Sequence, residues 1–215
     1  MTSMQCNRKL VIIGAGGLGV MTLDIILKQG NYTKRDIVFI DDGKDENEHV
    51  YDIPVIGGIA IINEMEFDRC DFIVAISNNQ IRKKIVNNNK HLNYINAIHP
   101  DATISNLAKL GQGNIILPNV TIDPEVIINN HVIINKNTSV GHTVVMQDYS
   151  QAAPGCQLTG VIGECAFLGL GVTQLTGKSI GNNCVVGAGA VVINDLPKNT
   201  TAVGVPAKVI KINEN

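Results

Sequence analysis

Apolar residues recur every six positions through the C-terminal half of this chain, and that period constrains the possible folds more than any other feature of the sequence. Every sixth residue from Ile104 to Leu158 is apolar, and after one step of four residues the phase resumes at Ile162 and runs to Val192. Fifteen of these sixteen positions are apolar, and Gln174 is the exception. A period of six matches neither the repeat of an α-helix nor that of a single strand.

The six-residue period predicts a parallel β-helix. A triangular coil needs one short strand on each side, and each strand contributes one inward side chain, so that stacked coils share a continuous thin core. Large side chains do not fit such a core, in agreement with an aromatic content of 4%, no Trp and 21 Gly. A disordered tail rich in Gly and Asn, the alternative, would not keep an apolar residue in phase over about 90 residues.

The N-terminal half alternates strands with helices instead. Four strands are expected, at Lys9–Ile13, Ile37–Ile40, Asp71–Ile76 and Tyr94–Ile98. Two helices are expected between them, at Leu18–Lys28, ended by Gly30, and at Gln80–Lys90, which is basic. This alternation predicts a parallel sheet with covered faces, that is, a Rossmann-like α/β domain. We place the boundary at His99-Pro100, which gives an α/β domain of residues 1–98 and a β-helix of residues 99–215.

A glycine-rich turn follows the first predicted strand. Gly14, Gly16 and Gly19 form the pattern G-x-G-x-x-G, and Asp41 and Asp42 end the next strand. In this arrangement backbone N–H groups and a helix N-terminus meet a pyrophosphate, and an acidic side chain is available to a ribose or a base. Binding of NAD(P) or FAD, and a purely structural turn, are alternatives. Only about 90 residues precede the repeat, too few for a full dinucleotide-binding fold, so the pattern favours a pyrophosphate ligand other than a dinucleotide.

Composition argues against several functional classes. A formal net charge of -2 gives no attraction to nucleic acid or to anionic lipid. No apolar run reaches membrane-spanning length, and the N-terminus lacks the pattern of a signal peptide. Five Cys without a CxxC pair indicate reduced thiols in a cytoplasmic protein, three of them acting as small packing residues. Only His131 and His142 lie in the repeat, too few for a three-histidine zinc site, and we expect no metal.

Three segments give the chain a resemblance to a known family. The C-terminal Gly-Val-Pro-Ala-Lys (204–208) resembles the ending of hexapeptide-repeat acyltransferases, and the segments Asn135 to His142 and Gly14 to Gly19 add to it. Over about residues 8 to 212 the chain resembles bacterial sialic-acid O-acetyltransferases and nucleotide-amino-sugar N-acetyltransferases. The resemblance implies a Rossmann-like domain that holds a nucleotide sugar, followed by a left-handed β-helix. It also implies a homotrimer, with acetyl-CoA as co-substrate in the cleft between neighbouring subunits.

The resemblance also implies roles for individual residues. His142 matches the family's catalytic histidine, which would take a proton from the attacking group. The substrate-binding set is Gly14, Gly16, Gly17, Leu18, Gly19, Asp41, Asp42, Ser77 and Asn78. The acetyl-CoA-binding set is Gln151, Gly169, Leu170, Ala188 and Lys208. Leu18 departs from the family, in which histidine is common at that place. Lys208 would meet the phosphates of CoA or belong to a solvated basic end.

Two further departures bear on the acceptor. The family often has an acidic residue directly after the catalytic histidine and a second histidine about nine residues later, and this chain has Thr143 and Gln151 there. Without a carboxylate neighbour His142 should be a weaker base, which an amine acceptor tolerates better than a hydroxyl. We therefore expect N-acetylation of a nucleotide-linked amino sugar, for bacterial surface glycans such as lipopolysaccharide O-antigen. An O-acetyltransferase acting on a sugar or a sialic acid, and a non-catalytic scaffold, are the alternatives.

Overall fold

A four-stranded parallel sheet forms the centre of the N-terminal half in the computed structural model, which describes residues 9–63 and 70–213. In chain order the strands of this half are β1 (Lys9–Ile13), β2 (Ile37–Ile40), β3 (His49–Val50), β4 (Ile53–Pro54), β5 (Cys70–Val74) and β6 (Asn93–Tyr94). The sheet has the order β2-β1-β5-β6, while β3 and β4 form a small antiparallel hairpin. Strands β1 and β5 are almost continuously buried, because both faces of a parallel sheet are covered.

Two α-helices accompany the sheet. Helix α1 (Gly17–Gln29) follows β1 and helix α2 (Asn79–Asn88) follows β5, while short 3-10 helices cover Lys34–Asp36 and Ile59–Asn63. Gly30 ends α1 as predicted, with a φ of 77°, a left-handed conformation that glycine adopts without strain. Within the described ranges, no helix combines the length and the apolar character needed to cross a membrane.

The C-terminal half is a parallel β-helix, which confirms the prediction from the six-residue period. Its strands are β7 (Ala97–Ile98), β8 (Thr103–Ile104), β9 (Lys109–Leu110), β10 (Ile115–Ile116), β11 (Thr121–Ile122), β12 (Ile127–Ile128), β13 (Ile133–Ile134), β14 (Ser139–Val140), β15 (Val145–Met146), β16 (Gln151–Ala152), β17 (Gln157–Leu158), β18 (Val161–Ile162), β19 (Phe167–Leu168), β20 (Thr173–Gln174), β21 (Ser179–Ile180), β22 (Val185–Val186), β23 (Val191–Val192), β24 (Thr200–Val203) and β25 (Lys208–Ile212).

These strands form the three faces of a prism. The first face contains β7, β10, β13, β16, β19, β22 and β24, one strand from each of seven turns, and β25 folds back antiparallel to β24 as a cap. The second face contains β8, β11, β14, β17, β20 and β23, and the third contains β9, β12, β15, β18 and β21. Strands of successive turns pair in parallel, so each face is a short parallel sheet.

The second residue of each two-residue strand points inward and builds the core. The period is longer than predicted from the sequence. It begins at Ile98 and, after a second step of four residues from Val192 to Leu196, ends at Ala202. Strand β7 begins two residues before residue 99. The strand pairing therefore favours a boundary near residue 96, and the division of the chain into two domains stays a prediction.

The single strand predicted over Tyr94–Ile98 is wrong, because this segment forms two strands in two different sheets. Strand β6 pairs with β5, and Ile95 makes the last bond to that sheet, from its N–H to the carbonyl of Phe72 at 3.0 Å. Strand β7 already pairs with β10 of the β-helix. Between them, the side-chain oxygen of Asn96 accepts from the N–H of Asn114 at 2.8 Å, which fixes the point where the chain changes sheets.

Gln174, the single polar residue in the apolar pattern, is 2% exposed and compensates for a shortened turn. The corner between β17 and β18 contains only Thr159 and Gly160, whereas the corner one turn earlier contains four residues. The Gln174 side chain accepts from the N–H of Thr159 at 3.3 Å and donates to the carbonyl of Lys178 at 2.8 Å. An apolar side chain would leave the Thr159 N–H without an acceptor, which explains why the pattern is interrupted here.

The N-terminal half covers the first face of the β-helix. Helix α1 packs against β7, and the outward residues of the first three strands of this face are Ala97, Ile115 and Ile133. They are fully buried and belong to the same apolar cluster as Leu23 and Ile26 of α1. Since one cluster includes side chains from both halves, the hydrophobic effect holds the two halves together.

The N-terminus of α2 meets the edge between the third and first faces, which we call the docking corner (residues 129–132, 147–150, 163–166 and 181–184). At each of its turns one residue has a left-handed backbone, and these residues are His131, Tyr149, Cys165 and Asn183. The side chain of Asn79 donates to the carbonyls of Cys165 and Ala166 at 3.0 and 3.1 Å. The helix is therefore docked through backbone carbonyls of the β-helix.

Candidate functional site

The glycine-rich turn lies at the carboxyl ends of β1, β2 and β5, the edge at which open parallel sheets bind ligands. Gly14 donates its N–H to the carbonyl of Ile40 at 2.7 Å. It has a φ of 104°, and a Cβ there would lie 2.8 Å from the carbonyl oxygen of Ala75. Strand β5 accordingly ends at Val74, two residues before the predicted Ile76, since the chain turns against Gly14.

Gly16 and Gly17 form the open part of the turn. Both are exposed, and a Cβ at either would meet nothing within 4 Å, whereas a Cβ at Gly19 would lie 2.0 Å from the carbonyl oxygen of Gly14. Gly16 caps α1 without a side-chain hydrogen bond, so the first N–H groups of the helix stay available to an anion. Leu18 is half-buried and packs on the apolar cluster that joins the two halves, which makes it a weak candidate for a polar contact.

Asp41 and Asp42 both hold backbone groups of neighbouring loops. Asp41 accepts from the N–H of Ala15 at 2.6 Å and from that of Gly43 at 2.8 Å, one with each oxygen. Asp42 accepts from the N–H of Ile59 at 2.7 Å through Oδ1, and its Oδ2 makes no hydrogen bond within the described residues. Asp41 therefore braces the glycine-rich turn, and Asp42 is the acid better able to offer an oxygen to a ligand.

Ser77 and Asn78 lie at the same edge of the sheet and line a cleft between the two halves. Both are exposed, and the side chain of Asn78 caps α2 by accepting from the N–H of Ile81 at 3.0 Å. The cleft has a volume of about 630 Å³, and its other side includes Phe167 and Val185 of the first face. Junctions between domains are common places for ligands, so the structure supports a site that extends from the glycine-rich turn toward the β-helix.

His142 is exposed at the corner between β14 and β15, on the edge between the second and third faces. Thr143 follows with a φ of 61°, and its hydroxyl donates to the carbonyl of His142 at 2.6 Å. The same corner one turn later is the shortened one with Thr159 and Gly160, so less chain covers His142 on that side. The imidazole is accessible to a ligand that lies outside the β-helix.

The other histidine of the repeat, His131, is unsuited to accept a proton from a substrate. The residue is 2% exposed, and its ring has Tyr94 edge-on at 4.7 Å and Tyr149 stacked at 5.4 Å. Burial, and to a lesser degree the positive charge of Arg82, lowers its pKa to about 4. In the part of the chain that the structure describes, no group of three His, Cys, Asp or Glu side chains is arranged to hold a metal.

Three of the residues expected to bind acetyl-CoA meet on the edge between the first and second faces. Gly169 and Leu170 lie between β19 and β20, and Ala188 lies at the same corner one turn later. A Cβ on Gly169 would be 2.6 Å from the backbone nitrogen of Ala188, so the two turns are in direct contact. Leu170 and Ala188 are exposed. Lys208 is exposed on β25, at the end of the first face.

Gln151, also expected to bind acetyl-CoA, is 7% exposed on β16 of the first face, beside Phe167 on the next strand. Its Oε1 is buried and has no hydrogen-bond partner within residues 9–63 and 70–213. A buried oxygen without a donor is costly. A ligand or a water that donates to it would therefore be stabilised.

In one chain, His142 and the glycine-rich turn lie on different sides of the β-helix. The N-terminal half covers the first face, whereas His142 lies on the edge between the other two faces, across the triangular cross-section. The structure brings the predicted substrate-binding residues to one edge of the sheet and three of the acetyl-CoA residues to one edge of the β-helix. It does not bring His142 to either group within a single chain.

The residues that join the two halves were not predicted from the sequence. Arg82 was expected only as part of a basic helix over Gln80–Lys90, whereas it is fully buried in α2. The buried residues of this helix are Asn79, Arg82, Ile85 and Val86, which recur at helical spacing. That spacing was the available signal that Arg82 lies on the inner face.

Comparison with known proteins places this architecture among sugar acetyltransferases. Residues 9–89 match the family described as PglD N-terminal domain. The chain is 30% identical to GDP-perosamine N-acetyltransferase of Escherichia coli O157:H7 over 222 residues, which cover 93% of this chain and 95% of that protein. Alignments with two other curated relatives, from Escherichia coli K12 and Schizosaccharomyces pombe, cover 26% of each of those proteins.

Two solved structures share the whole fold. The acetyltransferase domain of PglB from Neisseria gonorrhoeae, in complex with acetyl coenzyme A, matches with a TM-score of 0.89 and 33% identity, over 95% of this chain and 100% of that one. A histidine-to-alanine variant of GDP-perosamine N-acetyltransferase from Caulobacter crescentus, in complex with CoA and GDP-perosamine, matches with a TM-score of 0.89 and 30% identity. That match covers 96% of this chain and 98% of the other.

The geometry of the glycine-rich turn predicts opposite effects for two similar substitutions. In Gly16→Ala the methyl group enters open space, so the melting temperature should stay near that of the wild type, while the KM for a nucleotide-linked substrate rises roughly tenfold. In Gly19→Ala the methyl group meets the Gly14 carbonyl, and thermal stability should fall sharply. Thermal melts and steady-state kinetics of both variants test this. Loss of stability in Gly16→Ala, or wild-type stability in Gly19→Ala, would contradict the described geometry.

Proposed function

Because the chain belongs to the family of hexapeptide-repeat sugar acetyltransferases that includes GDP-perosamine N-acetyltransferase, we propose that it transfers the acetyl group of acetyl-CoA to the amine of a nucleotide-linked amino sugar. The observation that carries this proposal is the alignment with one such enzyme across both halves, over 93% of the chain. A protein that used only the β-helix as a scaffold would not need the open glycine-rich turn.

The nucleotide would bind at the carboxyl edge of the parallel sheet. The N–H groups at Gly16 and Gly17 would meet the pyrophosphate at the N-terminus of α1. Asp42 has one carboxylate oxygen left for a ribose hydroxyl or a base N–H, and Ser77 and Asn78 line the cleft on the side of the β-helix. Asp41 would act indirectly, since both of its oxygens hold the backbone around the turn.

Acetyl-CoA would lie along the edge that presents Gly169, Leu170 and Ala188. The exposed apolar surface there suits the pantetheine chain, and Lys208 near the end of the β-helix suits the phosphates of CoA. Gln151 would accept a hydrogen bond through its amide oxygen, which has no partner among the described residues. Support comes from the solved relatives, whose complexes contain acetyl coenzyme A or CoA.

His142 would act as the general base. As the uncharged amine attacks the thioester carbonyl, a C–N bond forms and the amine proton passes to the imidazole, while a backbone N–H would stabilise the oxyanion. The C–S bond then breaks, and the proton moves to the CoA thiolate. Solved variants of the Caulobacter crescentus enzyme change one histidine to alanine or to asparagine, a parallel that supports a functional histidine in this fold.

The acceptor is an amine in this proposal because His142 lacks a carboxylate partner among the residues that the structure describes. Within the described residues no carboxylate bonds its ring, and the hydroxyl of Thr143 donates to the backbone. An amine is a stronger nucleophile than a hydroxyl and needs less help from a base.

The product would enter surface glycans such as O-antigen. The buried free thiols of Cys156, Cys165 and Cys184 fit a reducing compartment, which we take to be the cytoplasm.

We further propose a homotrimer with each active site between two subunits. His142 and the nucleotide-binding edge lie on different sides of one β-helix, so a substrate held by one chain would reach the His142 of its neighbour. A closed ring satisfies this contact for every subunit. Exposed apolar residues on the walls of the prism, such as Ile127, Val161 and Val185, are available for the interface.

The acceptor is tested with acetyl-CoA and a panel of nucleotide-linked amino sugars, the same sugars without nucleotide, and hydroxyl-bearing nucleotide sugars. We expect kcat/KM to be at least about a hundredfold higher with the nucleotide attached, because the nucleotide contributes binding energy. It should rise with pH through the neutral range, since only the uncharged amine attacks. Equal turnover of a free amino sugar, or faster acetylation of a hydroxyl-only nucleotide sugar, would contradict the proposal.

The base is tested by His142→Ala and His142→Asn. Both should lower kcat by roughly 10²- to 10⁴-fold, with a smaller change in either KM. His91→Ala, which changes an exposed histidine away from all proposed contacts, is the matched control and should behave as the wild type. If His142→Ala keeps near-normal kcat, another group or a water removes the proton.

A further inference from the structure

Arg82 is a fully buried arginine whose positive charge no carboxylate pairs with in the part of the chain that the structure describes. Burial without a counter-ion lowers its pKa to about 10, so it keeps its charge at neutral pH. A buried charge is costly unless hydrogen bonds replace its hydration. Here all of those bonds go to oxygen atoms that carry no net charge.

Five such bonds are made, and they connect two different parts of the protein. On the α/β side, Nη1 donates to the carbonyls of Ile76 and Ser77 at 2.7 and 3.3 Å, and Nη2 donates to the side-chain oxygen of Asn79 at 2.9 Å. On the β-helix side, Nε donates to the carbonyl of His131 at 2.9 Å, and Nη2 donates to that of Tyr149 at 2.7 Å.

The acceptors on the β-helix belong to successive turns of the docking corner. His131 and Tyr149 both have left-handed backbones, and their carbonyls face α2 one turn apart. The side chain of Asn79 donates to the carbonyl of Cys165 on the next turn. The side chain of Gln80 donates to the side-chain oxygen of Asn183, one turn further on, at 2.7 Å. One helical segment thus contacts four consecutive turns. A rotation or a slide of the α/β half along the β-helix would break these bonds together.

The acceptors on the α/β side belong to the loop that enters the candidate site. Ile76 and Ser77 lead from β5 to Asn78, and Ser77 and Asn78 line the cleft that faces Phe167 and the first face. The guanidinium therefore fixes this loop and the β-helix to one rigid group. We propose that Arg82 is a positioning residue, which sets the distance between the nucleotide-holding loop and the β-helix surface and thereby the fit of the nucleotide sugar. This inference rests on the proposed function.

The planar fork of arginine is essential to this role. It presents five N–H donors in one plane, whereas lysine has three donors on a single nitrogen and cannot reach acceptors on opposite sides. Arg82→Lys keeps the charge and most of the volume but loses at least two of the five bonds. Lys84, exposed on the same helix, is the matched control for the charge.

The test compares Arg82→Lys, Arg82→Ala and Lys84→Ala with the wild type in steady-state kinetics. Arg82→Lys should raise the KM for the nucleotide sugar roughly tenfold or more and leave the KM for acetyl-CoA within about twofold. Millimolar guanidinium should lower the raised KM of Arg82→Ala by filling the vacated space. Lys84→Ala should match the wild type. A purely structural role would lower the folded fraction and kcat while both KM values stayed unchanged, and that result would overturn the proposal.

Hydrogen exchange separates this inference from the proposed function. Amides of residues 76–81 should exchange faster in Arg82→Lys than in Lys84→Ala, while the β-helix core keeps its protection. If the wild type acetylates no nucleotide sugar, the proposed function fails and the exchange result alone decides the role of Arg82. Equal exchange rates in the two variants would overturn it.

Discussion

Each turn of the β-helix must stack on the previous one in register, and the rest of the structure depends on that constraint. On the first face, Ile115 pairs with Ile133 and Ile133 with Gln151 on successive turns. Gln151 in turn pairs with Phe167. The inward neighbours of these residues form one continuous apolar column. The Gln174 amide interrupts the apolar pattern at a core position where a corner is two residues short.

The same stacking creates the docking corner and the edge that presents His142. Most corners contain a left-handed residue, and repeated corners place equivalent backbone groups in rows along the prism. At the docking corner such a row of carbonyls accepts hydrogen bonds from Arg82 and Asn79, which fixes the α/β half on the first face. On another edge the same geometry presents His142 to the outside. Because the docked α/β half and His142 lie on different sides of one prism, we propose that a second subunit completes the site.

Much of the fold could be predicted from the sequence because it is encoded in local periodicity. The six-residue repeat defines the β-helix, and the glycine pattern with Asp41 and Asp42 locates the carboxyl edge of the sheet. Periodicity could not reveal that Tyr94–Ile98 divides between two sheets, because the change depends on tertiary bonds of Asn96. The sequence also could not show that Asp41 braces the glycine-rich turn. A carboxylate that accepts hydrogen bonds from nearby backbone N–H groups has the same sequence pattern as one that binds a ribose. The residues of the candidate site were named individually, but their distribution over two sides of the β-helix appears only in three dimensions.

The most direct test of the account is complementation between two inactive variants. His142→Ala and a variant with a blocked glycine-rich turn, Gly16→Val, are each expected to lack activity alone. When they are co-expressed in equal amounts and assemble at random, a site between neighbours is intact if one neighbour supplies His142 and the other supplies the nucleotide-binding edge. About a quarter of the sites meet this condition in a closed ring. Recovery of about a quarter of the wild-type acetyl transfer would support the shared site. Absence of recovery in a demonstrated mixed assembly would contradict it.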